Sequence, residues 1–179
     1  MIFVETPIAG AFVIEPERRT DARGHFARIF GAHEFGQRGL DPSVAQCSTS
    51  FNTRAGTLRG MHFQADPYGE AKLVRCTRGA IYDVVLDLRP RSSTRLHWHA
   101  VELSDENGRA LFIPVGCAHG FQTLSDASEV SYQISVPYEP NAARGVRWDD
   151  TAFTIDWPAP PPGGRTISDR DASYPDYHR

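Results

Sequence analysis

The chain has 179 residues, 40% hydrophobic and 23% charged, with a formal net charge of −3. That length favours one domain, 1–179, with a core of its own. The mildly acidic balance excludes partners that demand a basic patch or an amphipathic face, so neither a nucleic acid nor a membrane surface is expected. Cys47, Cys76 and Cys117 are odd in number and form no CxxC pair, which points to reduced thiols in a cytosol rather than a disulfide framework or a zinc site. Met1–Pro7 has no basic segment leading into an apolar one, so no signal peptide is read there. The most apolar stretch, Ala110–Ala118, is interrupted by Pro114 and is too short to cross a bilayer.

In chain order, Asp21–Phe30 (DARGHFARIF) alternates basic and aromatic groups. That suits phosphate pairing plus base stacking, or an ordinary amphipathic strand. Ala32–Arg38 is a plausible helix ending at Gly39. Gln46–Asn52 reads as a strand whose one face is wholly polar: Gln46, Ser48, Ser50 and Asn52. Such a face is either solvated or the wall of a polar cavity. Ala80–Leu88 (AIYDVVLDL) is a β-branched run ending at Arg89-Pro90. His97–Leu103, Ala110–Val115, Gly120–Leu124 and Glu129–Val136 follow, separated by turn-like pieces. Pro158–Gly164 (PAPPPGG) is an irregular loop holding the tail against the body, and Ile167–Asp171 by itself reads as a turn with solvated charges. Short strands at this spacing predict an all-β sandwich or barrel.

Two clusters carry candidate chemistry. If Thr57–Gln64 and Glu70–Cys76 are strands, His62 and Gln64 share one face, and Lys72, Val74 and Cys76 another. A neutral His accepts a proton near pH 7, and a Lys beside it stabilises an oxyanion. Either His62 or His119, which follows the Pro114–Gly116 turn, is also at home as a structural histidine bonded to its surroundings. Tyr132 and Tyr138 fit a core or a site equally.

Together the segments DARGHFARIF, GTLRGMHFQ, EAKLVRCTRGAIYDVVLDLR, FIPVGCAHGFQTL, VSYQISVPYEP and ISDRD make the chain, from about Ile2 to Tyr174, resemble the dTDP-4-dehydrorhamnose 3,5-epimerase family of cupin-fold enzymes. The resemblance implies a cupin-type antiparallel β-barrel (jelly roll) with a few short helices. It implies an isomerase that inverts C3, C5 or both on a 4-keto-6-deoxy-hexose nucleotide, with no metal or organic cofactor. It makes His62 the base, Asp171 its carboxylate partner (Asp169 if the tail motif aligns two residues earlier), Tyr132 the acid on the opposite face and Lys72 the enolate stabiliser, with His119 nearby. Arg59 and Arg23 become diphosphate ligands, Phe26 and Tyr138 nucleobase contacts, and Arg28, Gln46, Ser48 and Asn52 further substrate contacts. A nucleotide-diphosphate sugar is the expected partner, in a cytoplasmic homodimer whose N-terminal strand crosses to the other subunit.

The family often has Asn where this chain has Ser48 and an acidic residue where it has Arg28, so the nucleotide follows less directly than the reaction. Arg59 and His62 have opposite parity on a regular strand, which a bulge at Gly60 would reconcile. The rival readings are a metal-dependent cupin, a dioxygenase or isomerase using His119 with His97 and His99, and a sugar-binding cupin without catalysis.

Overall fold

Residues 1–177 are described in this computed structural model, and they form thirteen strands and two short helices. The strands are β1 (Ile2–Glu5), β2 (Phe12–Glu15), β3 (Arg19–Asp21), β4 (Gly24–Phe26), β5 (Gln46–Asn52), β6 (Leu58–Gln64), β7 (Lys72–Arg78), β8 (Ala80–Asp87), β9 (Trp98–Ser104), β10 (Ala110–Ile113), β11 (Cys117–Thr123), β12 (Ser128–Ile134) and β13 (Ala143–Gly145). The helices are α1 (Ala32–Gly36) and α2 (Asp169–Ala172). One sheet runs β1-β2-β10-β7-β12-β5 and the other β13-β6-β11-β8-β9; both are antiparallel, and β3 and β4 pair only with each other.

Alternation decides what each sheet offers the other. Val74, Cys76, Leu111, Ile113 and Val130 from the six-stranded sheet meet Ile81, Val85, Leu103, Cys117 and Phe121 from the five-stranded sheet in one buried cluster. This is the expected cupin jelly roll: two facing antiparallel sheets with their inward residues interleaved.

The outer faces are covered differently. Phe35 on α1 is 1% exposed and packs edge-on to Phe3 and Phe112, over the six-stranded sheet. Burying such a ring contributes about 1.5–3 kcal/mol. The segment from Val146 to Trp157 covers the five-stranded sheet, placing Phe153 and Trp157 on Val84 and Leu86. β8 is therefore buried on both faces, which is why its sequence is nearly continuously apolar.

Three expectations shift. β10 stops at Ile113 because Pro114 has no N–H for the ladder. Gly116, at φ +82°, turns the chain so tightly that β11 begins at Cys117, and His119 stands inside the strand instead of in front of it. The Ile167–Asp171 segment is no solvated turn: Ser168 caps α2 by accepting the Asp171 N–H at 3.1 Å, and Asp171 is buried at 5% exposure.

Candidate active site

Between the open ends of the two sheets lies a cavity of about 310 Å³. The six-stranded sheet contributes Gln46, Ser48 and Ser50 from β5, Lys72 from β7 and Tyr132 from β12. The five-stranded sheet contributes Arg59, His62 and Gln64 from β6 and His119 from β11. The polar face of β5 is thus a cavity wall.

Arg59 and His62 reach the same space because β6 carries an extra residue. His119 pairs with His62 and Phe121 with Arg59, so three residue steps on β6 run against two on β11. Gly60 makes the bulge, at φ +133°, and Met61 turns outward into the other buried cluster. A Cβ on Gly60 would stand 2.5 Å from the Gly120 Cα, so only glycine fits.

His62 Nε2 lies 2.7 Å from Asp171 Oδ1, and Asp171 Oδ2 accepts the Gly60 N–H at 3.1 Å. Burial pushes the Asp171 carboxyl up, but the hydrogen bond and charge of His62, with the Gly60 N–H, bring it below the usual carboxylate range. The tail partner of His62 is therefore Asp171; Asp169 is exposed.

Lys72 Nζ pairs with Glu70 Oε1 at 2.7 Å, both side chains nearly buried. His119 Nε2 lies 2.7 Å from Asp83 Oδ1, a second His–Asp pair on the cross-strand neighbour of the first. The Tyr132 hydroxyl is 3.2 Å from Ser50 Oγ, its ring is edge-on to His119, and burial pushes its phenol up, keeping it protonated at neutral pH.

The mouth is set by two glutamines. Gln46 Oε1 accepts the Tyr138 N–H at 3.0 Å; Gln64 accepts the Glu139 N–H at 2.6 Å and donates to the carbonyls of Tyr68 and Pro137. They fix the loop that stands Tyr138, half-exposed, at the rim. Asn52 does not face the cavity: it is buried, and its Oδ1 accepts from Arg59 Nε at 2.8 Å, holding that guanidinium in place.

Arg23, Phe26 and Arg28 line no part of this cavity in their own chain. Arg23 pairs with Asp21 on an exposed hairpin, Phe26 is 71% exposed, and Arg28 pairs with Glu34 at 2.5 Å. Because β4 ends at Phe26, Arg28 lies beyond the strand. His97 and His99 also lie outside the cavity. Among the described residues, no group of three or more His, Cys, Asp or Glu side chains is placed to hold a metal.

The residue reading missed Glu70, Asp83 and Arg170. Glu70 and Arg170 line the cavity, Arg170 Nε donating to the Tyr174 hydroxyl at 3.1 Å, and Asp83 sits behind it. Asp83 had a signal: an acid at the inward parity of an apolar strand, between Ile81 and Val85.

A jelly roll whose cavity opposes imidazoles on one sheet to a lysine and a phenol on the other is an acid–base enzyme for a small polar substrate. Residues 5–179 match the family model described as dTDP-4-dehydrorhamnose 3,5-epimerase. A dTDP-4-dehydrorhamnose 3,5-epimerase of Sinorhizobium fredii is 41% identical over 175 residues, covering 98% of this chain and 89% of the relative. The crystal structure of the Elizabethkingia anophelis enzyme of that name superposes with a TM-score of 0.95 at 34% identity, covering 99% of this chain and 96% of the other. A 3'-monoepimerase from Streptomyces bikiniensis, in complex with dTDP-quinovose, has a TM-score of 0.87 at 34% identity, over 96% and 85%. The chain belongs to the dTDP-4-dehydrorhamnose 3,5-epimerase family.

Proposed function

We propose that this chain is an isomerase of deoxysugar biosynthesis that inverts C3, C5 or both in a 4-keto-6-deoxy-hexose carried on dTDP. The observation that carries the reading is that His62 and Tyr132 enter one cavity from opposite sheets. Inversion beside a ketone requires a base on one face of the ring and an acid on the other.

His62, oriented by Asp171, takes the proton from the carbon next to the ketone. The electrons of that C–H bond move into the ring, and negative charge develops on the ketone oxygen. The Lys72 ammonium stabilises that charge. The Tyr132 hydroxyl then delivers a proton to the opposite face, and the C–H bond re-forms inverted. Arg59, braced by Asn52, binds the diphosphate; Gln46 and Ser48 contact the substrate, and Tyr138 stacks on the base at the rim.

The exposed β3–β4 hairpin supports a homodimer in which Arg23, Phe26 and Arg28 serve the cavity of the second subunit. A single catalytic domain acting in the cytoplasm completes the reading, and no helix among the described residues is long and apolar enough to cross a membrane.

Incubation with dTDP-4-keto-6-deoxyglucose in heavy water tests it. Deuterium should enter C3, C5 or both, and His62→Asn should lower entry at least about a hundredfold, the scale of a general base, while dTDP still binds. Deuterium entry at the wild-type rate in His62→Asn refutes the assignment.

A further inference from the structure

Four aspartates are buried among the described residues, and three of them tie the chain together. Asp87 accepts from Arg89, Ser92 and Thr94, Asp150 from the backbone N–H groups of Ala152 and Tyr177, and Asp171 from Gly60 as well as His62. Asp83 is different. It is 0% exposed; among the described residues its sole hydrogen-bond partner is His119 Nε2, and its second oxygen, Oδ2, is buried with no partner. A carboxylate removed from water is costly unless its partners compensate. Burial pushes the Asp83 carboxyl up, and the charge and hydrogen bond of His119, with the Lys72 charge behind them, work against that rise. Whatever Asp83 does, it does through His119.

We propose that Asp83 is a positioning residue that decides which nitrogen of His119 meets the substrate. With the carboxylate taking the Nε2–H, Nδ1 is the ring nitrogen left for the cavity. His119 lines that cavity, and its Nδ1 has no hydrogen-bond partner among the described residues. In the neutral ring this tautomer makes Nδ1 an acceptor. A sugar presents hydroxyls, which donate, so His119 seats a hydroxyl of the hexose beside the reacting carbon. The two His–Asp pairs thereby divide the work: the pair on the more open imidazole, His62, moves protons, and the pair sealed between the sheets aims the ring.

The inference rests on the proposed epimerase reading, but its first test needs no substrate. With 15N-labelled histidine in the full-length protein, the His119 ring should show a protonated Nε2 and an unprotonated Nδ1 at neutral pH. Protonation at Nδ1, alone or together with Nε2, overturns the proposal. In turnover, Asp83→Asn should lower kcat about 10- to 100-fold, the scale known for losing the partner that orients a metal-bound imidazole, and leave dTDP affinity within about threefold. Added to His119→Gln, it should change kcat by less than about twofold. Multiplying losses, or a wild-type kcat in Asp83→Asn, would show that Asp83 acts elsewhere or not at all. If Asp83→Asn does not fold, the wild-type nitrogen shifts still decide the matter. A wild-type enzyme that exchanges no sugar hydrogen defeats the epimerase reading instead, and the nitrogen shifts again stand by themselves.

Discussion

Replacing Gly60 by alanine probes the bulge that joins Arg59 and His62 in one cavity. Two costs add. At φ +133° a residue with a Cβ sits in a region essentially reserved for glycine, a strain of about 1–3 kcal/mol. The new Cβ also falls 2.5 Å from Gly120 Cα and 3.0 Å from the His119 carbonyl oxygen; both are backbone and move only with β11. Overpacking of that kind costs about 1–3 kcal/mol more. Gly163, on the C-terminal loop, supplies the control: its φ is +115°, yet a Cβ there meets nothing within 4 Å. Gly163→Ala should therefore show the strain alone, and Gly60→Ala should cost at least about 1 kcal/mol more. Urea unfolding of both variants at one protein concentration measures the difference, provided the slopes agree. Equal losses would mean that close packing against β11 does not enforce the bulge, and the account of how Arg59 and His62 converge would fail.

Tyr132→Phe keeps the ring and removes only the hydroxyl bonded to Ser50, so deuterium entry through His62 should persist while epimer formation collapses; equal losses in both would indicate a packing role. Light scattering should give a dimer, and a fully active monomer would sink the placement of Arg23 and Phe26 in a second subunit's site. Competition among free dTDP, UDP, CDP and GDP should favour dTDP; CDP or GDP binding more than about tenfold tighter, about 1.4 kcal/mol, would overturn the thymidine assignment and spare the epimerase. Burial works to raise the Asp87 carboxyl, yet Arg89, Ser92 and Thr94 hold it well below its usual range. A carboxyl depressed in the folded state stabilises above its unfolded pKa, about 4, and loses that contribution as pH falls toward its folded value. The melting temperature should therefore drop below about pH 4, and less steeply in Asp87→Asn.

Where a residue's role depended on strand parity, the amino-acid order was informative. Gln46–Asn52 is the observed β5, its polar face is a cavity wall, and the parity conflict between Arg59 and His62 located the Gly60 bulge. Roles that depend on distant partners were harder to read. Asp83 is 36 residues from His119, and nothing local marks their contact. α2 spans four residues, too few for a periodic pattern, and its burial of Asp171 comes from docking on β6. Asn52 belonged to the polar face by parity, but the guanidinium of Arg59 claims it. Arg23, Phe26 and Arg28 could not be placed by parity either, because their hairpin pairs with neither sheet.

His62 and Asp171, the base and its partner in the proposed mechanism, are 109 residues apart in the chain. His62 lies on an early strand, whereas Asp171 arrives on the tail, after Thr166 has bonded to Gly56 and Leu58 beside β6. A chain emerging from the ribosome has all thirteen strands before it has its dyad. In the proposed mechanism the base therefore depends on a segment that follows every described strand, so loosening the Thr57–Thr166 bridge would part His62 from Asp171 while altering neither sheet's strand order.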